Sequence, residues 1–178
     1  MKNFGLVYLT EDASHDAVIE LINEEAFGPG RHTRAAARIR EQGPHDRALS
    51  YICADNGETI ASVRMTPVMA GGVKGHLLGP LAVDPAHEGK GIGANLMRAA
   101  IFEARRLGHG AILLVGDAPY YERFGFFADK TSTLMMPGPF ERARFLALEL
   151  EDGWLKGAAG LLVACGRKLS LAPVKKAA

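Results

Sequence analysis

Three glycines, Gly89, Gly91 and Gly93, stand at alternate positions directly before a stretch whose apolar residues recur at helical spacing. Ile92, Leu96, Met97, Ala100, Ile101, Ala104 and Leu107 fall on one face of that helix, Asn95, Arg98, Arg105 and Arg106 lie mostly opposite, and Gly108 is its natural terminator. An extended run, Leu77 to Val83, precedes the glycines and ends at Asp84-Pro85. Ala111 to Val115, after the helix, is wholly apolar, as in a strand covered on both faces. This order of strand, glycine loop, helix and strand puts a glycine-rich loop at the start of a helix beside a sheet. The first N–H groups of a helix lack internal acceptors and carry its positive dipole end, so such a start suits a phosphate or pyrophosphate. A tight turn explains the glycines equally well, and the triplet alone leaves both readings open.

Two nucleotide motifs compete for the loop. A Walker A loop requires Ser or Thr after Gly-Lys, and Gly89-Lys90 is followed by Gly91, so it fails. The dinucleotide fingerprint fits on its face as Gly89, Gly91 and Ala94, with Asp117 as a ribose-binding acid. Against it, Asp84 to Glu88 separate the strand from the first glycine. A chain of 178 residues also has no room for two nucleotide halves and a substrate region.

That length is one domain, here residues 1–170 with a loose tail over 171–178. Lys plus Arg is 21 and Asp plus Glu is 20, a balance that excludes a general nucleic-acid binder. No run approaches the ~18 apolar residues of a membrane span. Met1 to Thr10 has too short an apolar stretch for a signal peptide, so a cytoplasmic protein is expected. Cys53 and Cys165 read as small buried hydrophobes, and the six histidines and two cysteines show no metal-ligand spacing.

Before the loop the chain reads as a strand over Leu6–Leu9 and a helix over Thr10–Phe27 whose apolar face is Val18, Leu21, Ile22 and Ala26. Gly28-Pro29-Gly30 stops it, and a second helix starts from Thr33 as N-cap. Leu49–Ala54 and Thr59–Ala70 form a hairpin around Asp55-Asn56-Gly57, and Gly71-Gly72 turns the chain back. Pro119–Phe124 suits one or two helical turns, and Ser132–Met136 and Arg144–Leu150 suit strands.

Leu81-Ala82-Val83-Asp84-Pro85 followed by Glu88-Gly89-Lys90-Gly91-Ile92-Gly93-Ala94 resembles motif A of the GNAT superfamily of N-acetyltransferases, Q/R-x-x-G-x-G/A. Tyr120-Tyr121-Glu122-Arg123-Phe124-Gly125-Phe126 resembles the family's motif B, one helix and one strand later. The ordered pair covers about fifty residues and is far more specific than the glycines alone. The resemblance implies an α/β (α+β) fold with a mixed, splayed central sheet and helices on both faces, and acetyl-CoA as cosubstrate. By position, the backbone of Leu81, Ala82 and Val83 would pair with the pantetheine arm beyond a bulge at Gly79-Pro80. The amides of Glu88, Gly89, Lys90, Gly91, Ile92, Gly93 and Ala94 would hold the pyrophosphate, with Tyr120 and Phe124 packed nearby. Glu88 departs from the motif, placing a carboxylate where Gln or Arg is usual; Lys90 offsets it or stays solvated.

The implied activity is transfer of acetyl to a primary amine by direct attack, with Tyr121 as general acid. The positions where relatives carry a base hold Leu77 and Gly79, which take no proton, and His76 is expected on the other face of its strand. A water chain to Asp117, or no dedicated base, remains. Arg31, Arg34, Arg38 and Arg40 with His32 suit an acidic acceptor, a small molecule or a protein, or else a solvated helical face. Trp154 suits the core, the acceptor cleft or a contact in a homodimer. An acyl-CoA-binding regulatory module with little turnover is the alternative to an enzyme.

Overall fold

A computed structural model of the protein describes residues 5–166, so the tail expected over 171–178 lies outside the described residues. Strand β1 (Val7–Thr10) leads through a 3-10 turn (Ala13–His15) to helix α1 (Asp16–Phe27), and a second such turn (Pro29–Thr33) leads to helix α2 (Ala35–Gln42). Strands β2 (Tyr51–Asp55), β3 (Glu58–Ala70) and β4 (Val73–Val83) form a meander. Then come helix α3 (Ile92–Arg106), strand β5 (Ala111–Val115) and the single turn α4 (Ala118–Tyr121). Strands β6 (Leu134–Met135), β7 (Phe145–Glu149), β8 (Gly160–Leu161) and β9 (Val163–Ala164) follow. Seven strands make one mixed sheet, β1-β2-β3-β4-β5-β7 with β9 added on β3, while β6 and β8 pair separately. In the large sheet β4 and β5 run parallel and the other pairs antiparallel, so the doubly wound parallel sheet that the dinucleotide reading requires is not the architecture here.

Strand alternation divides the interior in two. Leu78, Ile112 and Leu114 pack in one core with Leu96, Met97 and Ala100 of α3, whereas their neighbours Leu77 and Leu113 pack in another with Ala35 and Ile39 of α2. Helices therefore cover both faces. The face of α3 emerges as its periodicity predicts, except that Leu107 is 45% exposed past the helix end. Among the described residues no helix is long and apolar enough to cross a membrane.

Helix α1 departs from expectation at its start and in its rotation. Thr10 still pairs in β1, and Asp12 and His15 form a capping box on the 3-10 turn, which delays the helix to Asp16. Its buried residues are Ile19, Ile22 and Asn23, and Leu21 is 66% exposed. The cause is polar. Val63 and Met65 of β3 face the α3 core, so Arg64 between them projects to the other face and meets Asp16 at 2.6 Å and Glu20 at 3.4 Å. Those two carboxylates sit one turn apart and rotate Leu21 outward. Thr33 does not cap α2; Arg34 occupies that position without a side-chain cap, and the Thr33 hydroxyl donates to Gly30 O at 2.9 Å. The strand expected from Leu77 begins at Val73, directly after the Gly71-Gly72 turn. Strands β8 and β9 are too short to have a sequence signature.

Glu11 is the hub of this polar layer. Its buried carboxylate accepts from Arg47 Nη1 at 2.7 Å and from Arg64 Nε at 2.9 Å, and it faces His45 Nε2 at 2.7 Å. Burial pushes the carboxyl up, but the bonds from His45 and Arg64 together outweigh it and hold it below its ordinary 4.5. A carboxyl lowered by folding adds stability above its unfolded value, and that contribution disappears as pH falls through the folded one. Glu11→Gln is therefore expected to cost about 2 kcal/mol at neutral pH through lost charge-assisted bonds. The gap to wild type seen at neutral pH should close at an acid pH below the lowered folded value, where the wild-type carboxyl is itself protonated. Urea denaturation at both pH values checks this, and an equal cost at both would refute it.

Trp154 belongs neither to the interior proper nor to the cleft. Its half-buried ring lies where any Cβ on Gly110 would stand, 1.8 Å away, and its Nε1 donates to Lys74 O at 2.7 Å. Cys53 is buried as expected, Cys165 is half-buried, and both are free thiols.

Candidate active site

The sheet opens beside β4. β5 pairs with it at His76↔Ile112 and Leu77↔Leu113 and nowhere further along. The cause lies in β4, whose register against β3 jumps from Met65↔Leu78 to Val63↔Leu81, so that Gly79 and Pro80 stand opposite the single residue Arg64. Gly79 has φ 120°, where a side chain would be strained, and Pro80 has no N–H for a ladder bond. The bulge expected at Gly79-Pro80 is present, and it leaves the β5-side edge of Leu81, Ala82 and Val83 without a strand partner among the described residues. Asp84 N–H donates to Ile60 O at 2.7 Å and closes that strand.

The glycine loop follows at once. Asp84 accepts from Ala86 N at 2.8 Å to set the 3-10 turn Pro85–His87, and Glu88 N–H bonds back to Pro85 O at 3.4 Å. Of the amides expected to face an anion, that of Glu88 is thus turned toward its own chain. Gly89 and Gly91 both have φ 75°, and a Cβ at either would meet nothing within 4 Å. Gly91 caps α3 without a side-chain bond, and Asn95 N–H to Gly91 O at 3.1 Å closes the first turn. The N–H groups of Ile92, Gly93 and Ala94 are therefore the orphan donors of the helix start, in a glycine-rich cradle open at Gly89 and Gly91 that suits a pyrophosphate. Glu88 and Lys90 are exposed at its rim.

Motif B lies across from this cradle. The Tyr120 hydroxyl lies 3.9 Å from where a Cβ on Gly93 would stand, which puts the ring over the first turn of α3. The Arg123 guanidinium stacks 3.8 Å from the Tyr120 ring centroid, and that of Arg98 lies 5.6 Å from the ring of Phe124. These two cations were not picked out by the motif, although the i, i+3 spacing of Tyr120 and Arg123 in a helical turn carries the signal. Tyr121 turns the other way. Its ring packs on Gly116, where a Cβ would come within 2.2 Å of Cε2, and meets Tyr120 and Phe126 edge-on at 4.9 and 6.3 Å. Burial, with a smaller push from Tyr120, raises its phenol above the ordinary 10.0, so it holds its proton.

Tyr121 lines a cavity of about 690 Å³ together with the bulge residues Gly79 and Pro80, Leu81, and arginines of the α1–α2 side. Of the basic group expected there, Arg31, His32, Arg34 and Arg40 line it. Arg38 does not; its guanidinium lies 3.4 Å from where a Cβ on Gly138 would stand. His76 points elsewhere, as its place on the strand predicts. It lines a second pocket with His109 and Trp154, the two imidazoles 4.4 Å apart. Burial first and His109 second push its imidazole down to about 4, against Asp46 at 3.7 Å. Asp117 is exposed and does not line the cavity. Asp46, His76 and His109 bring a carboxylate and two imidazoles within 4.8 Å of one another, a grouping their separation in sequence conceals.

The profile of the acetyltransferase (GNAT) family matches residues 15–126. Over 147 residues the chain is 31% identical to the uncharacterized N-acetyltransferase YhbS of Escherichia coli, covering 81% of this chain and 87% of that protein. It is 30% identical over 119 residues to the uncharacterized N-acetyltransferase YjhQ of the same organism, spanning 65% of this chain and 66% of the relative. Among solved structures, the crystal structure of YhbS in complex with CoA resembles it with a TM-score of 0.76 at 24% identity, over 90% of each chain. A GNAT family acetyltransferase from Brucella melitensis in complex with acetyl-CoA resembles it with a TM-score of 0.61 at 27% identity, over 81% of this chain and 87% of that one.

Proposed function

The chain belongs to the acetyltransferase (GNAT) family and is an acyltransferase, and from that premise we propose that it moves an acetyl group from acetyl-CoA to a primary amine, with Tyr121 as general acid. The observation that carries this is the parting of β4 from β5, which leaves an open strand edge between an anion cradle and a phenol. The backbone of Leu81–Val83 takes the amides of the pantetheine arm as an added strand, which directs the thioester toward the bulge. The amides of Gly89–Ala94 take the pyrophosphate, and Arg98 and Arg123 add positive charge beside Tyr120 and Phe124. Two solved relatives support this cosubstrate, one in complex with CoA and one with acetyl-CoA.

Three requirements then fall on the chain's own residues: a neutral amine, a stabilised oxyanion and a protonated leaving thiolate. Tyr121 supplies the proton. Leu81, directly after the bulge, offers its N–H on the open edge to the thioester oxygen. No residue needs to be a dedicated base, because the arginines lining the cavity favour the uncharged form of an ammonium by like-charge repulsion, and the proton leaves to water.

Release of free CoA thiol from acetyl-CoA, measured across a panel of primary amines, tests the reading. Thiol is expected only when a suitable amine is present. Absence of acetyl-CoA binding by calorimetry would overturn it, and binding with negligible turnover on every amine would make the chain an acyl-CoA-binding regulatory module instead.

A further inference from the structure

Most cations on the α1–α2 side of the sheet are matched by carboxylates of the chain. Arg31 meets Glu20 at 2.9 Å, Arg47 meets Glu11 at 2.7 Å and Asp16 at 2.8 Å, and Arg64 reaches all three carboxylates. Arg40 is different. It lies in the last turn of α2 and turns inward against the bulge, with Nη2 2.9 Å from where a Cβ on Gly79 would stand. Its Nε is buried without a hydrogen-bond partner, and among the described residues its guanidinium makes neither a hydrogen bond nor an ion pair. A glycine at position 79 is what gives the guanidinium this place.

A half-buried guanidinium whose Nε is buried without a partner is unfavourable, and a chain selected for stability alone would replace it with an apolar residue of similar volume. Burial, with a smaller push from Arg34, lowers the group to about 10, still well above neutral pH, so the charge stays. Its surroundings supply no compensating anion at depth. Glu20, the carboxylate contributed by α1, is engaged by Arg31 and Arg64, while Glu41 and Glu141 lie exposed at the cavity's edge. Arg34 stands exposed at the same rim, and an anion placed near Arg40 relieves the repulsion between the two. Tyr121, Gly79 and Arg40 line one cavity, so a group bound by Arg40 belongs to the molecule that attacks the thioester.

We propose that the acceptor amine carries an anionic group, a carboxylate or a phosphate, and that Arg40 binds that group at the foot of the cavity beside the β4 bulge. The planar fork of a guanidinium matches either oxyanion with two parallel N–H donors. This assignment rests on the acyl-transfer reading and names the substrate class it leaves open.

The test compares matched amines: amino acids against their amides, and aminoalkyl phosphates against the corresponding amino alcohols. Charge-assisted bonds predict a preference in kcat/KM for the anionic member of about 10- to 100-fold in one of the two arms, and the arm that shows it identifies carboxylate or phosphate. In Arg40→Met that preference should fall to within about threefold, chiefly through the acceptor KM, and Arg40→Lys should recover part of it. Because Met removes an unmatched, half-buried charge, the variant's melting temperature should equal or exceed that of wild type, which separates lost recognition from lost folding. Equal kcat/KM for charged and uncharged partners in the wild type would overturn the proposal. An equal loss on every amine in Arg40→Met would also overturn it, by placing Arg40 at the reacting centre. If no amine is acetylated the acyl-transfer reading itself fails, and thermal shift with the anionic amines at saturating CoA still reads the site: stabilisation of wild type but not of Arg40→Met supports it, and no difference between them overturns it.

Discussion

Tyr121→Phe is expected to lower kcat by about 10² to 10⁴, the range that positioned acid catalysis supplies, while acetyl-CoA affinity stays within about threefold. The substitution deletes one hydroxyl and keeps the ring, whose packing on Gly116, Tyr120 and Phe126 is unchanged. A donor that protonates the departing thiolate acts chiefly in the transition state, so the loss should fall on kcat rather than on binding. Burial raises the phenol, so Tyr121 remains the acid form throughout the neutral range, and its ionisation should limit the rate only above the ordinary phenol value of 10.0. Tyr120→Phe should do much less, because that ring lies over the first turn of α3 and faces the cradle. Single-turnover rates under conditions where chemistry is limiting decide the matter. Full kcat in Tyr121→Phe would remove the acid assignment.

Gly91→Glu is expected to weaken CoA binding by at least about 100-fold, the scale of a carboxylate and its bulk set into the cradle proposed for the pyrophosphate. Position 91 is open, with nothing within 4 Å of a Cβ, so the new side chain has room to stand where the anion would lie. The backbone is left-handed there, which costs about 1 kcal/mol for any side chain. Gly91→Ala carries that same strain without the charge and should keep most of the affinity, so the pair separates strain from occlusion. Calorimetry showing unchanged CoA affinity in a folded Gly91→Glu protein would show that the cradle does not hold the cofactor.

Much of this site is legible in the sequence because its signals are local. The glycine loop, the face of α3 and the break at Gly79-Pro80 each depend on backbone preference or on period within a dozen residues. What could not be read depends on partners far apart in the chain. The rotation of α1 is set by Arg64, and the inward turn of Arg40 is set by Gly79, with nothing near either position to announce it. The basic group over Arg31–Arg40 is one cluster in sequence, yet the fold gives each member a separate environment: Arg31 is ion-paired, Arg34 lies over Phe27, Arg38 rests on Gly138 and Arg40 is half-buried with its Nε unpartnered. The strand edge of Leu81–Val83 was located only through resemblance, because an unpaired edge and a paired one have the same residue pattern.

The seat of Trp154 gives the molecule an internal reporter. It is the chain's single tryptophan, and it bonds to Lys74 and covers Gly110, both next to the place where β4 and β5 still pair. The cavity lined by Tyr121 does not include it. Intrinsic fluorescence thus registers whether the parallel junction that starts the opening of the sheet is intact, from a position outside the cavity where the acceptor would bind.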